Sequence, residues 1–251
     1  MLLSIVKCGD HNLKSQFGQS VQTRSIGVEV EIIGPVHDSC VTKMRNRGSQ
    51  LAEGRWLFFV DADCQIPISS VLAAIEEVEQ FDQPLAAVSG IYIDQSTSIL
   101  QKTYGAIQRK WMARGLREPI TSKTFLANHL FGGALLVCKE AFNAIDGFDD
   151  DIGWGGEELD LVQRLQRRGY KTAVCYDLQV KHNNPLSLFG LIKRAWYQNF
   201  NKGRHSLARQ SRSSALVYVA TPLAHLLPSL IFFSVSLVAQ YFGLMIRNLK
   251  G

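Results

Sequence analysis

Residues 56–60 read WLFFV, five apolar residues with no polar break. A strand with one face in water alternates apolar and polar residues, so this run describes a strand covered on both faces. Covering both faces requires helices on either side of a sheet, and the rest of the chain offers them in turn. Apolar runs at 2–6, 28–33, 85–93, 134–138 and 171–176 read as further strands. Helical patterns fall at 12–23, 42–53, 97–114 and 157–168, the last ended by Gly169, and another follows Pro185 to about residue 201. Pro67 with Ser69 or Ser70 opens an amphipathic helix to about residue 80, with Val71, Ile75 and Val78 on one face. This alternation predicts an α/β fold built on a mainly parallel, Rossmann-like central sheet.

The 251 residues suffice for one large domain, and 46% hydrophobic with 20% charged residues exclude a disordered chain. Charge is unevenly placed. Residues 1–177 carry 18 Lys/Arg against all 22 Asp/Glu, whereas residues 178–251 carry nine Lys/Arg and no acid. A basic end of this kind faces phosphates, of a ligand or of a membrane surface, and no nucleic-acid module accompanies it. The five cysteines (Cys8, Cys40, Cys64, Cys138 and Cys175) lack CxxC spacing and fit reduced thiols in a cytosolic setting.

From residue 215 to 246 there is no formally charged side chain. About 20 apolar residues span a bilayer as a helix, so the stretch is long enough. Pro222 and Pro228 are expected to break it, leaving 229–246 as the cleanest helix. Arg204, Arg209 and Arg212 precede it, and Arg247 and Lys250 follow. The sequence therefore divides into a domain over 1–210 and a basic-flanked, membrane-associating segment over 211–251, at the cytoplasmic face. A buried helix pair or a dimer surface is the alternative.

Asp61 and Asp63 leave the apolar strand at its carboxyl end, where open α/β sheets bind ligands. Two carboxylates there suit a hard divalent cation that keeps positions open for phosphates. A bare DxD also serves as a turn or a helix cap. A calcium-binding EF-hand is excluded by the missing Gly and Glu that its loop requires.

The segment MRNRGSQLAEGRWLFFVDADC resembles family 2 glycosyltransferases, with Arg45, Asn46, Gly48, Ala52, Gly54, Trp56, Phe59, Asp61 and Asp63 on the family pattern. So does FGGALLVCKEAFNAIDGFDDDIGWGGEELDLVQRLQRRGY, which carries Gly132, Gly133, Gly147, Phe148, Asp149 and the GWGGEE stretch of 153–158. Glu158 stands where the pattern usually has Asp. The resemblance implies a GT-A fold and inverting transfer from a nucleotide-sugar donor, a UDP-sugar above the others, with Mn2+ or Mg2+. It implies Asp63, Asp61 and His182 at the metal, and Asp38, Arg45, Asn46, Asp61, Lys202 and Arg204 around the nucleotide. Gly132, Gly133, Trp154, Gly155 and Gly156 fall to the donor or acceptor sugar.

Displacing a nucleoside diphosphate also requires a carboxylate to take the acceptor's proton from the opposite side. Glu158 and Glu157 are the candidates, and the sequence leaves open which serves. Acids at a helix start also stabilise its dipole without any catalytic role. The implied acceptor is a hydroxyl-bearing glycan or lipid-linked precursor of the cell envelope, receiving one sugar, since the QxxRW pattern of processive synthases is absent. The N-terminal segment departs from the family, with Asp38 and Ser39 in place of its usual Asp-Ser pair. A membrane-anchored sugar-nucleotide or glycan binding module without catalysis is the competing reading.

Overall fold

In the computed structural model the WLFFV run occupies the middle of a sheet. The structure describes residues 2–8, 24–25, 28–36, 38, 40–93, 98–182, 187–205 and 223–250. The helix expected over 12–23, with Ser39, Pro185, Arg209, Arg212 and Pro222, lies outside them. The strands are β1 (Leu2–Cys8), β2 (Arg24–Ser25), β3 (Val28–Val36), β4 (Trp56–Asp61), β5 (Cys64–Gln65), β6 (Leu85–Ile93), β7 (Leu116–Pro119), β8 (Thr124–Ala127), β9 (Ala134–Cys138) and β10 (Lys171–His182). The helices are α1 (Val41–Leu51), α2 (Ile68–Glu79), α3 (Ile99–Gly115), α4 (Lys139–Asn143), α5 (Glu157–Arg167), α6 (Leu188–Arg204) and α7 (Leu223–Lys250).

These strands form one sheet in the order β2-β3-β1-β4-β9-β6-β10-β8-β7, with β5 paired to β10. Side chains of β4 alternate between its two faces, and both faces are dry. Trp56, Phe58 and Val60 join Leu3, Ile5 and the α2 residues Val71, Ile75 and Val78 on one side. Leu57 and Phe59 join Val6, Leu135, Phe142, Leu161 and Leu165 on the other. Phe59 meets Phe142 and Phe148 at ring-centroid distances of 5.4 and 5.6 Å, which ties the second layer to the loop before α5.

The sheet is mixed rather than mainly parallel. β1 pairs in parallel with β3 and β4, and β6 with β10, but β9 lies antiparallel between β4 and β6. An unbroken apolar run reports burial on two faces and carries no information on strand direction, which explains the difference. β10 also continues six residues past its expected end at Tyr176. A register shift against β6 between Val174 and Gln179 absorbs the irregular stretch and lets pairing resume through Lys181. That continuation delivers His182 to the carboxyl edge of the sheet.

α7 runs unbroken from Leu223 to Lys250 with Pro228 inside it, so Pro228 does not end the helix as its chemistry suggested. Pro228 is the sixth residue of the helix, so it forgoes a single hydrogen bond, to the Ala224 carbonyl, close to the helix start, and the helix continues past it. Within it Leu230–Asn248 is long and apolar enough to cross a membrane, by length and composition, and about a third of it is buried. Burial comes from α6 and α3. Phe232 packs with Tyr104, Ile107, Leu191 and Ala195. The α6–α7 crossing is close: a Cβ on Gly203 would lie 2.0 Å from the Gln240 carbonyl, and one on Gly243 would lie 2.2 Å from that of Phe200.

Gly203→Val is therefore expected to lower unfolding stability by about 1–3 kcal/mol through overpacking at this crossing. The urea midpoint measures it, and an unchanged midpoint would mean that α7 does not dock there.

Candidate active site

Asp61 is the last residue of β4, and Asp63 sits in the turn before β5. β5 pairs antiparallel with the end of β10, His182 opposite Cys64. This pairing brings His182 Nε2 to 3.2 Å from Asp63 Oδ2. Burial opposes ionisation of Asp63, but the His182 hydrogen bond and charge, helped by Arg194, hold its carboxyl below the ordinary value. The Tyr92 ring stacks on His182 with centroids 4.9 Å apart, and its hydroxyl accepts from the Gly133 N–H at 3.1 Å. A Cβ on Gly133 would lie 2.4 Å from that hydroxyl and 3.0 Å from Cys64 Sγ, so the backbone approaches as only glycine permits.

The second acidic cluster opens α5. Gly153, Gly155 and Gly156 have φ of +70°, +88° and +106°, a run of left-handed backbone that suits glycine. A Cβ on Gly155 would also strike the Gln198 backbone on α6 at 2.6 Å. From α6, the Asn201 amide donates to the carbonyls of Ile152 (3.0 Å) and Trp154 (2.6 Å), fixing the loop from outside. Glu157 and Glu158 then point to different partners. Glu157 is buried, accepts from the Gly155 N–H at 2.6 Å, and faces Arg45 Nη1 at 3.5 Å. Glu158 is half-buried and accepts from the Gly132 N–H at 3.1 Å.

Arg45 joins the two clusters, and Asn46 holds the loop between α4 and α5. Arg45 reaches from α1 into the interior, 1% exposed, and its Nη2 donates to Asp61 Oδ1 and to the Gly132 carbonyl, both at 3.0 Å. Burial works against its charge, and the Asp61 and Glu157 carboxylates outweigh that and raise its pKa. The Asn46 amide donates to the Phe148 carbonyl and Asp150 Oδ1, and its oxygen accepts from the Phe148 N–H, each at 2.9 Å. Burial and the adjacent Glu158 push the Glu157 carboxyl up to about 8, against Arg45 and the Gly155 N–H, which favour its ionised form. A raised carboxyl binds its proton more tightly when folded. Its contribution to stability is thus full below the unfolded value and lost as pH rises through about 8.

Both clusters line one cavity of about 460 Å³. Asp61, Asp63, His182, Glu157, Glu158 and Lys202 give it a charged wall, with Gly132, Gly133, Trp154, Gly155 and Gly156 beside them. Tyr104, Ile107, Trp111 and Met112 of α3 and Phe232 of α7 give it an apolar one. Burial lowers the Lys202 ammonium below its ordinary value, and Glu158 and Glu157 pull the other way. Among the residues expected at the nucleotide, Asp38, Asn46 and Arg204 do not line this cavity. Sequence reasoning missed Tyr92, Arg194, Gln198 and the contribution of α7. Arg194 and Gln198 stand eight and four residues before Lys202 on α6, a helical spacing visible in the sequence. Tyr92 is the penultimate residue of a strand that was expected, at the edge where ligands bind.

Residues 37–220 match the family model described as Glycosyltransferase like family 2. The chain belongs to that family, and its α/β architecture is the GT-A fold that the sequence resemblance implied. Among solved structures it is similar to GalNAc-T7 with UDP, GalNAc and Mn2+, at 15% identity and a TM-score of 0.44 over 71% of this chain and 39% of that one. It is also similar to the mannosyltransferase PcManGT from Pyrobaculum calidifontis in complex with GDP-Man and Mn2+, at 15% identity and a TM-score of 0.49 over 84% of this chain and 58% of that one. Both likenesses are remote, and the chain's membership rests on the family match.

Arg45→Met would leave Asp61 and Glu157 without their shared cation, at an expected cost of about 3–5 kcal/mol. Adding Glu157→Gln should recover part of that loss in chemical denaturation. Strictly additive costs would mean that Arg45 and Glu157 do not interact.

Proposed function

We propose that the chain is an inverting, metal-assisted transferase moving one sugar from a nucleotide-diphosphate sugar, a UDP-sugar first among them, to a hydroxyl acceptor. The observation that carries this reading is the meeting of the two acidic clusters in one cavity at Gly132–Gly133. Gly133 lies against Asp61 and Tyr92, while the Gly132 N–H holds Glu158.

Asp63 and His182 are close enough to share a divalent cation, and oxygen with imidazole donors suits manganese or magnesium. When bound, the ion supplies positive charge against the departing diphosphate. Asp61, held by Arg45, sits nearer the ribose or the ion's water shell. Lys202 and Arg194 line the same cavity and add positive charge for phosphate oxygens, Arg194 by its planar fork.

Glu158 is the base in this reading. Its carboxylate is half-buried and open to the cavity, so it can take the proton of an acceptor hydroxyl as that oxygen attacks the anomeric carbon. Glu157 is spent on Gly155 and Arg45 and positions the helix start instead. Attack on the face opposite the departing diphosphate inverts the anomeric centre. Trp154, 39% exposed beside the cavity, offers a flat apolar face to a sugar ring.

The acceptor is a glycan or a lipid-linked precursor, and the apolar wall from α3 and α7 supports the latter. Residues 211–251 then act as a membrane-associating segment beside the domain of residues 1–210, and its helix α7 packs on α6 and α3. Phe189 and Tyr197 of α6 and Val238, Tyr241, Phe242 and Met245 of α7 are exposed large apolar side chains. They belong to a stretch, residues 178–251, that has nine cationic residues and no acid. Such a surface suits contact with anionic lipid at the cytoplasmic face.

Three measurements test these roles. Asp63→Asn is expected to remove the Mn2+-dependent thermal stabilisation by UDP-sugars, whereas Glu158→Gln should keep it and lose transfer by about 10²-fold or more. Transfer surviving Glu158→Gln would move the base elsewhere. Donor binding without transfer in the unaltered protein, across a panel of acceptors, would favour a binding module. In co-sedimentation, Phe189→Glu with Tyr241→Glu should reduce partition onto anionic vesicles by about tenfold or more. Equal partition would place the membrane contact elsewhere.

A further inference from the structure

We propose that Cys64 is a third ligand of the cation held by Asp63 and His182, so that the site takes a thiophilic ion such as Zn2+ or Co2+ in preference to Mn2+. The inference rests on the metal reading of that pair and adds to it a donor of different chemistry. Cys64 forms the antiparallel pair with His182 across β5 and β10, so its position is set by the same backbone pairing that places the imidazole. A carboxylate oxygen of Asp63, the thiol sulfur and an imidazole nitrogen of His182 all lie within 4.8 Å of one another. Asp63 and His182 line the cavity, and Cys64 is fully buried beside them.

The donor set decides the ion. Oxygen, nitrogen and sulfur from three side chains, with a further position open, is an arrangement zinc accepts in tetrahedral geometry. Manganese and magnesium gain little from sulfur and prefer six oxygen-rich positions. Intrinsic affinity for a mixed site also rises from manganese to cobalt and zinc. With Zn2+ bound, the three side chains fill all but one tetrahedral position. One oxygen of a diphosphate then fits where an octahedral ion would admit more, so zinc should oppose nucleotide binding.

The local environment is consistent with a thiol that waits for a cation. Cys64 is fully buried, its sulfur is 3.9 Å from Asp63 Oδ1, and Gly133 leaves the adjoining space without a side chain. A bound divalent ion deprotonates a coordinating thiol. In the binding step the S–H bond breaks, the sulfur lone pair forms the metal bond, and the proton leaves to solvent, with no change of oxidation state.

The test uses the full chain and three cations. Adding Co2+ to the unaltered protein should produce a near-ultraviolet thiolate-to-cobalt charge-transfer band, absent in Cys64→Ser and Cys64→Ala. Calorimetry should show Zn2+ bound at least about tenfold more weakly by both variants, or 1.4 kcal/mol. Mn2+ affinity should change little, and its retention shows that the variants are folded around the site. Mn2+ binding in the unaltered protein without a cobalt–thiolate band overturns the role of Cys64 and leaves the Asp63–His182 site standing, as does a band that persists in both variants. Failure of all three cations to bind overturns the metal reading itself.

Discussion

A single buried guanidinium joins the two halves of the site. Arg45 donates to Asp61 and to the Gly132 carbonyl, and faces Glu157, from a position 1% exposed to solvent. Each carboxylate alone would be costly so deep in the fold, and the shared cation offsets part of that cost. The consequence is geometric. The strand that ends in Asp61 and the helix that begins at Glu157 are separated by nearly a hundred residues, yet one side chain fixes their approach. Arginine suits the position because its planar fork serves several acceptors at once, which an ammonium on a flexible stem does not.

The surrounding glycines follow from the same constraint. Gly132 and Gly133 pass between the acidic clusters, and side chains there would collide with Glu158 or Tyr92. Gly155 lets α6 press against the loop that presents Glu157, with Asn201 holding the loop's carbonyls. α7 continues this layering. By packing on α6 it supports the helix carrying Arg194, Gln198 and Lys202, and it adds Phe232 to the cavity wall. An apolar C-terminal segment thereby gains a second role beyond any contact with lipid.

Much of this was legible in the sequence, for stated physical reasons. Strands β6 and β9 fell at their expected residues because unbroken apolar runs bounded by polar ones leave little freedom. Both acidic clusters were legible because the residues around them, RNRG and GWGG, are explained by contacts they make: Arg45 reaches the second cluster, Asn46 reaches the loop before it, and the glycines adopt left-handed backbone. Strand direction was not legible, since β9 is as apolar as a parallel strand would be. The extension of β10 was hidden by the polar residues of its irregular stretch, and with it the pairing of His182 with Cys64. α7 read as a tail because a helix apolar enough for lipid is equally apolar enough for α6. Close crossing glycines such as Gly203 and Gly243 gain meaning only once the partner helix is known.

The central claim is that Asp63 and His182 hold a cation against a diphosphate while Glu158 faces the opposite side of the transferred sugar. The most direct measurement is a crystal structure grown with Mn2+ and UDP, with anomalous scattering recorded at a wavelength sensitive to manganese. The expected result is one peak within bonding distance of Asp63 and His182, with the diphosphate beside it and Glu158 across the space left for the sugar. A manganese peak away from that pair, or a nucleotide lying over Glu158 instead, would contradict it.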